Sequence, residues 1–167
     1  MSVKPVQKHY TYALTEPYGD LDFPAQLTPK KMLEMGIFEG KYLNDCRNEF
    51  PDDWFETAKL SPKKPDISCN YFNIKSRQPL STWKKNGWIY GNDPRGWFQW
   101  YCRYFMGRRE PEVDTIQVAR WQAFGPRHVG GIKNDPRYKK AATGAERLKV
   151  RPRQRQALLQ WAYDPFV

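Results

Sequence analysis

The chain has 167 residues, 40% apolar and 16% aromatic, with 28 Lys and Arg against 18 Asp and Glu for a formal net charge of +10. That length and aromatic content suit one domain with its own hydrophobic core and exclude a disordered chain. No run of about eighteen apolar residues is present to cross a membrane, and the opening "MSVKPVQKHYTYALTEPYGD" lacks the apolar stretch of a secretory signal. A cytoplasmic location is expected, or a nuclear one if the source is eukaryotic, with no membrane partner.

In chain order, residues 1–27 show little periodicity and carry Pro5, Pro17 and Gly19, which reads as an extended N-terminal arm. A single α-rich domain then spans 28–167. "TPKKMLEMG" predicts a short helix with Thr28 as N-cap, Pro29 at the first helical position and Gly36 as the stop. "IFEGKYL" (37–43) reads as a turn or short strand, and "FPDDWFETAKL" as a short helix with Asp52 and Asp53 at its positive end. "SPKKPD" (61–66) is a proline-bounded turn, "CNYFNIKS" (69–76) a weak strand, and "QPLSTWKKNG" a third short helix ended by Gly87.

Signals strengthen from residue 92. "NDPR" occurs at 92–95 and again at 134–137; each offers an Asp to cap and a Pro to open a helix. The first predicts a helix over about 94–106, stopped by Gly107. Its polar residues Arg95, Gln99 and Arg103 fall at i, i+4, i+8, so nearly all the rest of its circumference is apolar and must be covered. "PEVDTIQVARWQAFGP" predicts a helix over about 111–124, ended by Gly125 and Pro126. "RPRQRQALLQWAYDPF" predicts the last helix, its inner face made of Leu158, Trp161 and Ala162. The fold expected is mainly α: one compact domain of four to six helices around the central aromatic helix, with irregular or short-strand segments in the N-terminal half.

Charge is unevenly placed. Residues 1–92 are net +2 with 11 Lys and 2 Arg; residues 93–167 are net +8 with 4 Lys and 11 Arg. Arginine supplies a planar fork suited to phosphate and to stacking, where lysine is a mobile point charge. The switch points to recognition of a polyanion. Arg151, Arg153 and Arg155 crowd the first turn of the last helix, against its dipole, which calls for an anion or carboxylate nearby.

Three cysteines (Cys46, Cys69, Cys102) without a CxxC pair read as reduced thiols. A zinc site would require them to converge with His128 from four separate elements, without the closely spaced ligand pairs usual in structural sites. No metal and no cofactor are expected.

The segment "RREPEVDTIQVARWQAFGPRH" (108–128) concentrates polar groups among aromatics. Asp114, Gln117 and Trp121 share a helix face, and Arg120, Arg127 and His128 lie close by in sequence. One reading is a pocket in which Asp114 orients an arginine and His128 acts as acid or base; the other is an Asp–Arg network tying two helices together. "HVGGIKN" offers backbone amides but lacks the flanking pattern of a phosphate loop. No Ser–His–Asp order, HExxH, Walker loop or GxGxxG is present.

The stretches "LTPKKMLEMGIFEGKYLND", "EFPDDWF", "GWFQWYCRYFMGRR", "QVARWQAF…RH" and "RPRQRQALLQWAYD" resemble a group of small proteins from bacteria, fungi and plants that carries no established activity. The resemblance covers most of the chain from residue 28 and implies a self-standing domain; it supplies no catalytic residues. The leading functional expectation is a nucleic-acid-binding protein, for DNA or RNA. Arg95, Arg103, Arg108, Arg109, Arg120, Arg127, Arg151, Arg153 and Arg155 would serve it, mostly on phosphates, with stacking by exposed members of Trp83, Trp88 or Trp121. The alternatives are a small enzyme acting on a nucleotide or DNA base, with a pocket around Asp114, Arg120 and His128, and a structural subunit of a large nucleoprotein assembly.

Overall fold

A computed structural model describes residues 21–167; most of the N-terminal arm expected over 1–27 therefore lies outside the described residues. Among them the chain forms seven α-helices and no strand: α1 (Pro29–Met35), α2 (Leu80–Lys85), α3 (Trp97–Phe105), α4 (Pro111–Lys133), α5 (Pro136–Lys140), α6 (Gly144–Arg147) and α7 (Pro152–Gln160). Single 3₁₀ turns at Phe38–Gly40, Arg47–Glu49, Asp52–Phe55 and Ile67–Cys69 fill the N-terminal half. The predicted helix after Pro51 is reduced to such a turn, and the strand expected near residue 70 does not form.

Local chemistry explains several ends. Thr28 Oγ1 accepts from Lys31 N at 3.2 Å and Pro29 opens α1. Gly36 closes it at φ +112°, where an added Cβ would lie 2.0 Å from the Cys69 carbonyl oxygen. The two "NDPR" copies part company. Asp135 caps α5 as expected, its carboxylate accepting from Arg137 N at 2.9 Å. Asp93 is instead fully buried and turned toward arginines, and α3 starts three residues after Pro94, behind Gly96 at φ +95°.

The second departure concerns α4, which runs on through Gly125 and Pro126 to Lys133. A proline disfavours helix before it partly by clashing with the preceding Cβ; Gly125 has none. The missing Cβ also makes a notch for Tyr163, whose Cζ would stand 2.2 Å from it. Tyr163 stacks on Trp121 at 4.5 Å and 5° and donates its hydroxyl to the Trp121 carbonyl. Trp121 Nε1 in turn donates to Trp161 O at 2.8 Å. What looked like a stop is where α7 and its tail dock onto α4.

Helix α3 is central, as its composition required. Trp97, Phe98, Trp100, Tyr101 and Cys102 are all nearly inaccessible. Phe23, ahead of α1, sets its ring edge-on or tilted against Trp97, Trp100, Tyr101, Tyr104 and Trp121 with centroids 4.9 to 6.1 Å apart. Such aromatic pairs add to simple burial. Tyr101 Oη donates to Leu27 O at 2.6 Å, so residues 21–27 are held against the core. The inner face expected for α7 is also found: Leu158, Trp161 and Ala162 are buried.

Candidate nucleic-acid interface

The nine arginines singled out in the sequence fall into three environments. Three are interior. Arg103 is 2% exposed and grips Glu49 with two bonds (Nε to Oε2 2.9 Å, Nη2 to Oε1 2.7 Å), while its Nη1 donates to Asp93 Oδ1 at 2.7 Å. Burial opposes its charge, but the bonds to Glu49 and Asp93 outweigh that and hold its pKa above the ordinary arginine value. Arg108 completes the cluster with two bonds to Asp93, 2.8 and 2.6 Å. Arg155 is fully buried and donates to main-chain oxygens of Val150, Pro165, Val167 and Arg147 at 2.7 to 2.8 Å. These three are tie-rods and cannot reach phosphate. The stripe Arg95–Gln99–Arg103 expected to face a groove is therefore mostly inward, because Glu49 and Asp93 come to meet it.

Three more are occupied at the surface. Arg95 pairs with Asp45. Arg109 lies 3.6 Å over the Tyr104 ring and donates to the Tyr104 and Arg108 carbonyls. Arg151 donates to Asp135 at 2.6 Å. That carboxylate answers the crowding of arginines at the start of α7, and hydrogen bonds from Arg137 and then Arg151 keep Asp135 ionised well below the usual carboxylate range.

The remaining three, Arg120, Arg127 and Arg153, meet at one place. Arg120, Phe124, Arg127 and His128 recur along one face of α4 at helical spacing; α7 and its end bring Arg153, Gln154 and Trp161; residues 75–78 bring Lys75, Arg77 and Gln78. With Trp83 and Trp88 these enclose a cleft of about 830 Å³. Ser76 fixes the 75–78 segment to α7, donating to Arg153 O at 2.7 Å and accepting from Gln160 Nε2 at 2.7 Å through its carbonyl. No Asp or Glu lines the cleft. Arg77 pairs with Glu39 at 3.1 Å behind it.

Arg120 is a half-buried charge in the cleft wall. It has no carboxylate within ion-pair distance among the described residues; its Nη1 donates to Trp88 O and Gln117 Oε1 at 3.1 and 2.8 Å. Its guanidinium stands 5.3 to 5.4 Å from the rings of Trp83, Tyr90 and Trp161, within cation–π range. Burial pulls its pKa below the ordinary arginine value. Arg127 and Arg153 are exposed and likewise unpaired among the described residues. A partly buried cation with neutral partners, flanked by two free ones, makes an attractive field for an anion.

His128 sits at the same wall, stacked on Phe124 at 3.9 Å with Nδ1 bonded to Phe124 O at 3.0 Å. Burial lowers its pKa, the bond to Phe124 opposes this, and neighbouring Arg127 lowers it further. Asp114 does not join it. That residue is fully buried at the start of α4, accepting from Trp100 Nε1 and Glu110 N at 2.8 Å each. The Asp114–Arg120–His128 pocket is thus corrected: Arg120 and His128 share the cleft, and Asp114 ties α4 to α3. Trp121 is also buried and unavailable for stacking, whereas Trp83 and Trp88 line the cleft.

Sequence reading missed Lys75, Arg77, Gln78, Phe124 and Trp161. The one signal for them was the density of cations and aromatics on both sides of the proline-punctuated middle of the chain. The cysteines are free; burial first of all raises the Cys46 pKa to about 12. Among the described residues no group of three or more His, Cys, Asp or Glu is placed to hold a metal ion, and no helix is long and apolar enough to cross a membrane. Compared with protein-family models, with curated proteins and with solved structures, the chain matches none.

Proposed function

We propose that the protein binds single-stranded nucleic acid in the cleft between α4, α7 and residues 75–88. The observation that carries this reading is a cleft whose charged lining is wholly basic (Lys75, Arg77, Arg120, Arg127, Arg153) and whose remaining wall includes four large aromatic rings (Trp83, Trp88, Phe124, Trp161). Phosphates would sit on Arg127, Arg153 and Lys75 at the mouth, and bases would stack on Trp83 or Trp88 further in. Cations tracking a backbone with aromatic faces for the bases is the general design of single-strand binders. The resemblance to small proteins of bacteria, fungi and plants belongs to the same proposal and adds no activity to it. With no carboxylate beside His128, the cleft favours binding over turnover.

The test is a fluorescence-anisotropy titration of the full chain with labelled 12-nucleotide single strands of DNA and of RNA, over a salt series. Affinity should fall with salt, with log–log slope of about −2 to −3.5 if three to five phosphates are neutralised. No binding of either strand at about 50 mM salt removes the proposal.

A further inference from the structure

Beside the cleft lies a second, smaller cavity of about 110 Å³, which shares Arg77, Gln78, Trp83 and Trp161 with it. Two groups of rings line it. Phe38 packs on Tyr42 at 4.4 Å and on Phe98 at 5.7 Å. Trp161 lies 4.7 Å from Trp97 and 6.2 Å from Trp83 in near-parallel stacks. Lys41, Arg77 and Arg95 stand around it, and no Asp or Glu lines it.

We infer that this cavity seats one unstacked nucleobase, turned out of a strand that lies in the cleft; the inference rests on the nucleic-acid reading above. Three features select that occupant. A lining with six aromatic rings favours a flat, polarisable group. Arg77 and Arg95 are paired with Glu39 and Asp45, but Lys41 has no carboxylate partner among the described residues. A lining with cations and no acid disfavours an ammonium guest and favours one joined to phosphate.

The polar groups complete the fit. Gln160 accepts from Phe38 N and Gln156 Nε2 at 3.1 Å and donates to Ser76 O, so its amide is held in place as part of the wall. Gln78, by contrast, is exposed, and its amide makes no hydrogen bond to another described residue; it offers a donor and an acceptor to a base edge. Because Arg77 and Gln78 belong to both cavities, a nucleotide can keep its phosphate in the cleft with its base in the smaller space.

The experiment compares a 12-nucleotide thymidine strand with a 12-mer of abasic sites carrying the same number of phosphates, on the wild-type protein and on L80W. Leu80 lines the cavity but is 37% exposed, so the larger side chain fills the mouth without opening the core. Wild type should hold the thymidine strand about tenfold or more tighter than the abasic one. L80W should cut that difference to the part that stacking on Trp88 in the cleft supplies, while leaving abasic binding unchanged, and the smaller L80F should cut it less.

Abasic affinity is the internal control, since a misfolded variant would lose it as well; in that event L80F, together with the wild-type comparison, decides. Equal binding of both strands by wild type overturns the base seat and leaves the backbone reading standing. A base preference that both fillers leave undiminished also overturns it, placing all the stacking on Trp88 in the open cleft. If neither strand binds, the nucleic-acid reading itself falls.

Discussion

Glu49 and Arg103, 54 positions apart, form a two-bond ion pair in the interior, with Glu49 4% and Arg103 2% exposed. Removing one partner of a buried pair leaves the other charge uncompensated, which costs about 3–5 kcal/mol. Glu49→Gln should lower stability by roughly that amount in urea unfolding. The loss should be insensitive to salt, because the pair is shielded from solvent ions. A variant as stable as wild type would mean Arg103 finds enough in Asp93 alone.

Gly125 and Tyr163 interlock where α7 meets α4. Gly125→Ala should destabilise by about 1–3 kcal/mol through overpacking, read as a drop in melting temperature. Tyr163→Phe should cost about 1 kcal/mol, for the hydroxyl bond to the Trp121 carbonyl alone. Both should bind nucleic acid normally at a temperature where they are folded.

Arg127 and Arg153 are exposed, and neither has a carboxylate within ion-pair distance among the described residues. The double variant Arg127→Ala, Arg153→Ala should keep the wild-type melting temperature. Its salt slope for single-strand binding should become shallower by about 1.4, at roughly 0.7 per lost phosphate contact. Arg103→Ala should do the opposite, losing stability before it loses slope.

His128 gives the pH dependence. Its folded pKa lies below 6.5, so as pH falls the unfolded chain takes up the proton first. Stability should therefore decline below about pH 6.5 and level off below the folded pKa. Binding runs the other way. Protonation adds a cation to a wall already facing Lys75, Arg77, Arg120, Arg127 and Arg153, so affinity should rise between pH 7.5 and 5.5 by less than about tenfold per pH unit. His128→Ala should flatten that rise.

Asp114 bears on the enzyme alternative. Asp114→Asn should weaken the tie to Trp100 and the Glu110 amide, with a loss of about 1–3 kcal/mol in thermal unfolding. Single-strand affinity should be unchanged. A selective loss of binding with stability intact would put the carboxylate back in the cleft's chemistry.

The helical class, the Thr28–Pro29 start of α1, the Asp135–Pro136 start of α5 and the buried aromatic helix were all legible in the order of residues, because caps and periodicity act over three or four positions. Which arginines were free was not. Arg103, Arg108 and Arg155 look no different in sequence from Arg127 and Arg153. They are withdrawn by Glu49, Asp93 and main-chain oxygens that arrive only once distant segments pack. The same holds for Gly125–Pro126, whose local chemistry says stop and whose neighbour Tyr163 turns it into a socket, and for the cleft, whose walls come from three separated stretches. Hydrogen bonding and burial of charge are decided by neighbours in space, and the folded chain supplies those.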